Sequence, residues 1–284
     1  MSGGFTLRTP LYQIEVLEKI WNSTNGINWN YNKMKQCMIN YEDGFMVGVP
    51  WNFTRTNDNN TYIHDPCGNN TPNSQFMSIS CKCYTNETSN QNQCDLIRLE
   101  PGCAGATGRI PYEVSKLTTL EVLDFDTNLM TGTLPKELSL LTRLKALYLD
   151  SNLFTSTIPA EWGRLTNLEL IDLDTCNLEG TIPESFLNLK KLELFYLYNN
   201  RFTGKLPQQM FLHLNKVKEF LFYQNQFSGP IPSEGLSLLN KTLTQIDFSH
   251  NQLTGTVNQD FGLLTNLNLI ILQDNYLVGT LPKE

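Results

Sequence analysis

From about residue 96 onward the chain alternates apolar and polar positions in short bursts, each followed by a fixed sequence of turn residues. One burst reads Leu123-x-Phe125-x-x-Asn128-x-Met130-x-Gly132-x-Leu134-Pro135. The same spacing returns at Leu147 (Asn152, Phe154, Ser156, Ile158-Pro159), at Ile171 (Cys176, Leu178, Gly180, Ile182-Pro183) and at Phe195 (Asn200, Phe202, Gly204, Leu206-Pro207). Three more copies begin at Phe220, Ile246 and Ile270, and a worn one holds Leu96, Leu99, Gly108 and Ile110-Pro111. An apolar-x-apolar pair predicts a short strand with both apolar side chains on one face. A single such unit cannot bury that face, so units at a fixed period of about 24 residues must stack. Gly and the Ile/Leu-Pro step supply the turn and the extended segment beyond it.

Before the repeats, Thr9-Pro10 predicts a helix start. Leu11, Ile14, Leu17 and Trp21 follow at helical spacing, and Asn25-Gly26 is the expected stop. The spacing divides the chain into a cap over 1–95 and a solenoid of about eight coils over 96–284.

The repeat LxxLxLxxNxLxGxIP resembles the plant-type extracellular leucine-rich repeat family. The resemblance implies an α/β repeat solenoid: a right-handed coil with a parallel concave sheet and a helical, disulfide-bonded N-terminal cap. Asn128, Asn152, Asn200, Asn225, Asn251 and Asn275 would form an inward ladder bonding turn amides of neighbouring coils. Cys176 takes the same rung as a structural residue. The stretch Trp21 to Trp29 looks like the cap helix of such proteins, and Phe76 to Cys81 stands where they carry W-x-G-V-x-C. That correspondence implies Cys67 with Cys81. For the rest, Cys83 with Cys94 and Cys37 with Cys103 is the expected pairing among the fifteen that six cysteines allow.

Composition changes the picture only in part. A net charge of −7 without a basic stripe excludes nucleic acid, and no apolar run approaches the ~20 residues of a membrane span. Six cysteines (Cys37, Cys67, Cys81, Cys83, Cys94, Cys103) share the N-terminal region with the sequons at Asn22, Asn52, Asn59, Asn69 and Asn86, and a sixth sequon lies at Asn240. That combination implies an oxidising compartment, secreted or on the outer cell surface. The first residues lack a secretory apolar core, which predicts an incomplete N-terminus. Zinc is disfavoured because no C-x2-C pairs occur and His64 is isolated, so no metal or cofactor is expected. The repeat holding Asn240, from Phe220 to Ile246, is two residues longer than the 24-residue period, and the extra residues should bulge on the convex side. Residues 279–284 stop midway through a coil, which predicts either a continuing chain or a partner covering that end.

Paired Asp124/Asp126 and Asp172/Asp174 have spacing compatible with a glycosidase. An open sheet, however, offers no pocket to raise one pKa, and no nucleophile motif accompanies them. His213 and His250 read as surface or packing residues. The remaining signal is the concave face. One column of x positions runs Glu100, Asp124, Tyr148, Asp172, Tyr196, Leu221, Asp247, Ile271 and the next runs Gly102, Asp126, Asp150, Asp174, Tyr198, Tyr223, Ser249, Gln273. Acidic residues followed by clustered tyrosines suit a binding surface. The expected site is Asp124, Asp126, Tyr148, Asp150, Asp172, Asp174, Tyr196, Tyr198, Leu221 and Tyr223. It would bind a protein, peptide or glycan without catalysis. A structural component of an extracellular assembly and an inhibitor of a secreted hydrolase are the alternatives.

Overall fold

The computed structural model describes residues 11–24, 79–86 and 91–280. Its spine is a nine-stranded sheet. The hairpin Ile79–Asn86 and Gln91–Leu99 pairs antiparallel. Seven three-residue strands then follow in parallel, Val122–Asp124, Ala146–Tyr148, Leu170–Asp172, Leu194–Tyr196, Glu219–Leu221, Gln245–Asp247 and Leu269–Ile271. Corresponding rungs face one another, as in Asp124 with Tyr148 and Tyr148 with Asp172. Two smaller parallel sheets line the opposite turn of the coil, and short helical turns such as Ala160–Arg164 close each repeat. No described helix is long and apolar enough to cross a membrane.

The L-x-L pairs point inward as the spacing requires: Leu147, Leu149, Ile171, Leu173, Phe195 and Leu197 have no solvent exposure. In the fifth to seventh coils phenylalanine takes several of these positions, at Phe195, Phe220, Phe222 and Phe248, and Phe220 meets Phe195, Phe211, Phe222 and Phe248 with ring centroids 5.5–6.5 Å apart. The last described coil differs, with Ile270 40% exposed where Ile246 is fully covered.

The ladder asparagines are buried or half-buried and follow one bonding scheme. Asn128, Asn152, Asn200, Asn225, Asn251 and Asn275 each accept, at Oδ1, a backbone N–H of the preceding coil at 2.8–3.0 Å. Each Nδ2 donates to one carbonyl of that preceding coil and to two of its own, as Asn200 does to Leu173, Leu197 and Tyr198. The residue before every rung sits in the left-handed region, φ 45–55°, whatever its type: Cys103, Thr127, Ser151, Thr175, Asn199, Gln224, His250 and Asp274. For a β-branched residue such as Thr127 that conformation is strained, and the ladder bonds around it hold it in place.

At the Cys176 rung the thiol can only donate weakly to Leu149 O, at 3.5 Å. Burial, the main cause, pushes its pKa up to about 12, so it carries no thiolate at neutral pH. Cys176→Asn should restore the standard rung and raise the melting temperature by a few degrees, as differential scanning calorimetry would show. A lower melting temperature would mean that this coil is packed around sulfur.

Glycine with positive φ follows every rung except that of Asn152, and at Gly180 (φ 82°) a Cβ would meet Thr157 Cγ2 at 2.7 Å. Ser156 holds the equivalent place and stays out of that region, its Oγ instead accepting the Leu134 N–H at 3.0 Å. The extra residues around Asn240 lie on the helical side, where Gly235 turns left-handed before Leu236–Leu239, while the strands Glu219–Leu221 and Gln245–Asp247 keep their register.

The cap helix spans Leu11–Ser23. Its buried residues are Gln13, Val16, Leu17 and Ile20, with Trp21 packed at the margin. Leu17 and Trp21 of the expected Leu11–Ile14–Leu17–Trp21 face therefore pack against the core, while the side chains of Leu11 and Ile14 lie outside the described residues. Gln13 is buried on the same helix because its Oε1 accepts Leu96 N–H at 3.0 Å and satisfies an amide of the first coil that has no earlier coil to bond. Thr107 N likewise donates to Thr24 O at 3.1 Å. Cys81 and Cys103 are disulfide-bonded. Cys37, Cys67 and the expected stop at Asn25-Gly26 lie outside the described residues.

Candidate ligand-binding face

Strand rungs about 4.8 Å apart bring the two columns of polar residues together on the outer face of the main sheet. The acidic half is more enclosed than its sequence suggests. Asp124 and Asp174 are 7% and 4% exposed, and Glu100, Asp247 and Ser249 are buried too, whereas all were expected to face solvent. Larger neighbours lean over them. Gly102 leaves a gap that Asp126 fills, since a Cβ there would collide with Asp126 Oδ1. Backbone amides stabilise some of these carboxyls, with Asp126 N donating to Asp124 Oδ1 at 2.9 Å and Asp174 N to Asp172 Oδ1 at 3.2 Å. Asp247 accepts from both the backbone N–H and the hydroxyl of Ser249.

This enclosure overturns the expectation that an open sheet cannot raise a carboxyl pKa. Burial, followed by repulsion from neighbouring carboxylates, raises Asp124 well above its ordinary value, Asp150 to about 7 and Asp172 to about 9. Asp150, Asp172 and Asp174 bring oxygens within 4.8 Å of one another. Three oxygens are half or less of the six to eight that Ca2+ takes, so the set by itself assigns no metal.

The aromatic half adjoins the acids directly. Tyr198 and Tyr223 stack with centroids 4.4 Å apart and planes within 7°, and burial first, then the neighbouring Asp174, raises the Tyr198 pKa. Tyr196 donates to Glu219 Oε2 at 2.6 Å. Tyr148 lies between Asp124 and Asp172, and burial first, then those acids, pushes its pKa up to about 12. Leu221 is half-buried beside them. All ten expected residues therefore share one face. Sequence reasoning missed Arg98, which makes a bidentate pair with Glu100 at 2.7 and 2.9 Å beside the acidic column. His213 lies on the helical side near Gln209, and His250 pairs with Asp274 at 3.0 Å; neither joins the face.

Stacked coils, a parallel sheet and an asparagine ladder define a leucine-rich repeat solenoid. A family model for the leucine-rich repeat matches residues 167–189 and 242–264, so the chain carries leucine-rich repeats. No curated protein matches the chain. Among solved structures, that of PEPR1-AtPEP1 is 30% identical with a TM-score of 0.60, over 70% of this chain and 26% of that one. The plant peptide hormone receptor RGFR1 in complex with RGF2 is 31% identical, TM-score 0.52, over 60% of this chain and 31% of that one. The ectodomain of the plant membrane receptor kinase GASSHO1/SCHENGEN3 from Arabidopsis thaliana, in complex with CASPARIAN STRIP INTEGRITY FACTOR 2, shares the fold at 23% identity. Its TM-score is 0.68, over 96% of this chain and 31% of that one. The chain spans between a quarter and a third of the length of these relatives.

Proposed function

We propose that the chain is a plant-type recognition module, secreted or on the outer cell surface, that binds a cationic peptide along its concave Asp/Tyr face without catalysis. The observation that carries this reading is the continuity of the Asp150/Asp172/Asp174 cluster with the stacked Tyr198–Tyr223 pair. Carboxylates supply the charge for lysine or arginine, and tyrosine rings add area and cation–π attraction. The relatives described with AtPEP1 and RGF2 support a peptide over a glycan.

The extracellular placement has its own support. Asn22 is exposed at the end of the cap helix, and Asn240 lies on the helical side away from the acidic face, so glycans at both would leave that face open. Cys83 and Cys94 are opposed across the hairpin, which favours pairing them. Cys67 with Cys81 and Cys37 with Cys103 complete the proposed framework.

Lysine-containing model peptides should bind the wild type and lose about tenfold or more in affinity with Asp172→Asn/Asp174→Asn, measured by isothermal titration calorimetry. Equal affinities for both proteins would place the ligand elsewhere and reopen the structural-component and hydrolase-inhibitor readings.

A further inference from the structure

At the start of the main-sheet strands the outer face changes character. Val122, Ala146, Leu170 and Leu194 occupy the same rung position in four successive coils, aligned in register. The next two coils carry Glu219 and Gln245 at that position. The apolar run is therefore local, on a face where the neighbouring columns are acidic and aromatic. It forms the floor of a recess of about 340 Å³, walled by Tyr148 and rimmed by Arg98, Lys145, Glu169 and Glu193. Ligand sites for small molecules range over roughly 300–1,000 Å³, and this recess lies at the bottom of that range, with room for a single large side chain.

The rim charges decide what may lie beside that side chain. Arg98 pairs with Glu100, Lys145 with Glu121 at 2.7 Å, and Glu193 with Lys218 at 2.6 Å. Glu169 is exposed and, among the described residues, has no ion-pair partner. The uncompensated charge on the rim is thus a carboxylate. A sugar would want hydroxyl-directed polar groups on the floor, and these four aliphatic residues offer none.

We propose that this recess is the anchor subsite for a branched aliphatic or aromatic side chain of an extended peptide, whose adjacent ammonium or guanidinium rests on Glu169. The proposal deepens the peptide-binding reading and rests on it. Along a strand, residues rise ~3.3 Å each. The recess at the Ala146 rung and the acid cluster at the Asp150 rung are therefore ~13 Å apart, a span of about four extended residues. The ligand pattern that fits both is an apolar residue next to one cation, with a second cation about four positions away.

The test is a positional-scanning library of acetylated, amidated nonapeptides with one fixed lysine, selected on the full chain and on variants. Leu, Ile, Val or Phe should be enriched about tenfold next to the lysine. Ala146→Trp, which fills the recess, should abolish that preference, and so should Leu194→Ser, which serves if the tryptophan variant does not fold. Glu169→Gln should keep the apolar preference and lose the neighbouring lysine. Lysine selection with no apolar preference, or an apolar preference that survives Ala146→Trp and Leu194→Ser, overturns the anchor and leaves the cationic-peptide reading standing. No enrichment of any lysine peptide on the wild type overturns both.

Discussion

Replacing Asn200 by Asp is expected to lower the melting temperature by on the order of 10 °C. The side chain makes four hydrogen bonds and is 9% exposed. Its Oδ1 accepts from Leu178 N–H at 3.0 Å, and that bond survives the change. Its Nδ2 donates to Leu173 O at 2.8 Å and to Leu197 O and Tyr198 O at 3.1 Å. An aspartate oxygen there has no hydrogen to give and faces three carbonyl oxygens. Either a charge is buried against like dipoles or a proton is taken up at neutral pH, and each costs several kcal/mol. For a domain of this size every kcal/mol is worth about 2–4 °C. Asn177→Asp is the control, since that side chain accepts from Arg201 at 3.1 Å on the surface and a carboxylate there should be neutral or slightly stabilising. Thermal melts of both variants decide the matter. An Asn200→Asp protein melting with the wild type would show that the ladder contributes little to coil stacking.

The ladder, the core positions and the location of the extra residues near Asn240 were legible because each follows from period alone. The solenoid repeats its solution, so one reading of Leu123 to Pro135 serves the following coils. Features that depend on neighbouring coils were not legible. The left-handed residue before each rung varies from Thr127 to His250 in type, so no residue preference marks it; the ladder bonds impose it. Gln13 falls off the apolar spacing of the helix and is nonetheless wholly buried, because the first coil has an amide that only the cap can satisfy. The ten face residues could be placed on one surface from alternation, but their burial could not. Whether Asp124 meets water depends on what Gly102, Asp126 and Tyr148 leave open on adjacent rungs, which no single repeat records.

The buried acids lead to the second large expectation, that the protein is more stable at pH 5 than at pH 8.5. Asp150 and Asp172 keep their protons up to about 7 and about 9 in the folded state, chiefly because burial disfavours their charged forms. An unfolded chain releases them near 4. Between those limits the folded protein binds more protons than the unfolded one, so every rise in pH favours unfolding. The stability these two groups contribute is complete below about pH 4 and is lost as pH climbs through 7 and then 9. Glu113 acts in the opposite sense: burial raises it, but its bond to Lys19, a backbone hydrogen bond and the Lys19 charge together outweigh that and leave it below its ordinary value, an effect confined to more acidic solution. A drop in melting temperature on the order of 10 °C from pH 5 to pH 8.5 is expected, and Asp172→Asn, which removes one titration and its repulsion of Asp150, should roughly halve it. The same linkage reaches the ligand. A bound cation favours the ionised carboxyls, so peptide affinity should rise over the range where stability falls, with protons released on binding. A wild-type melting temperature that is flat or rises between pH 5 and pH 8.5 would mean that these carboxyls ionise freely and that the acidic face is already charged before any ligand arrives.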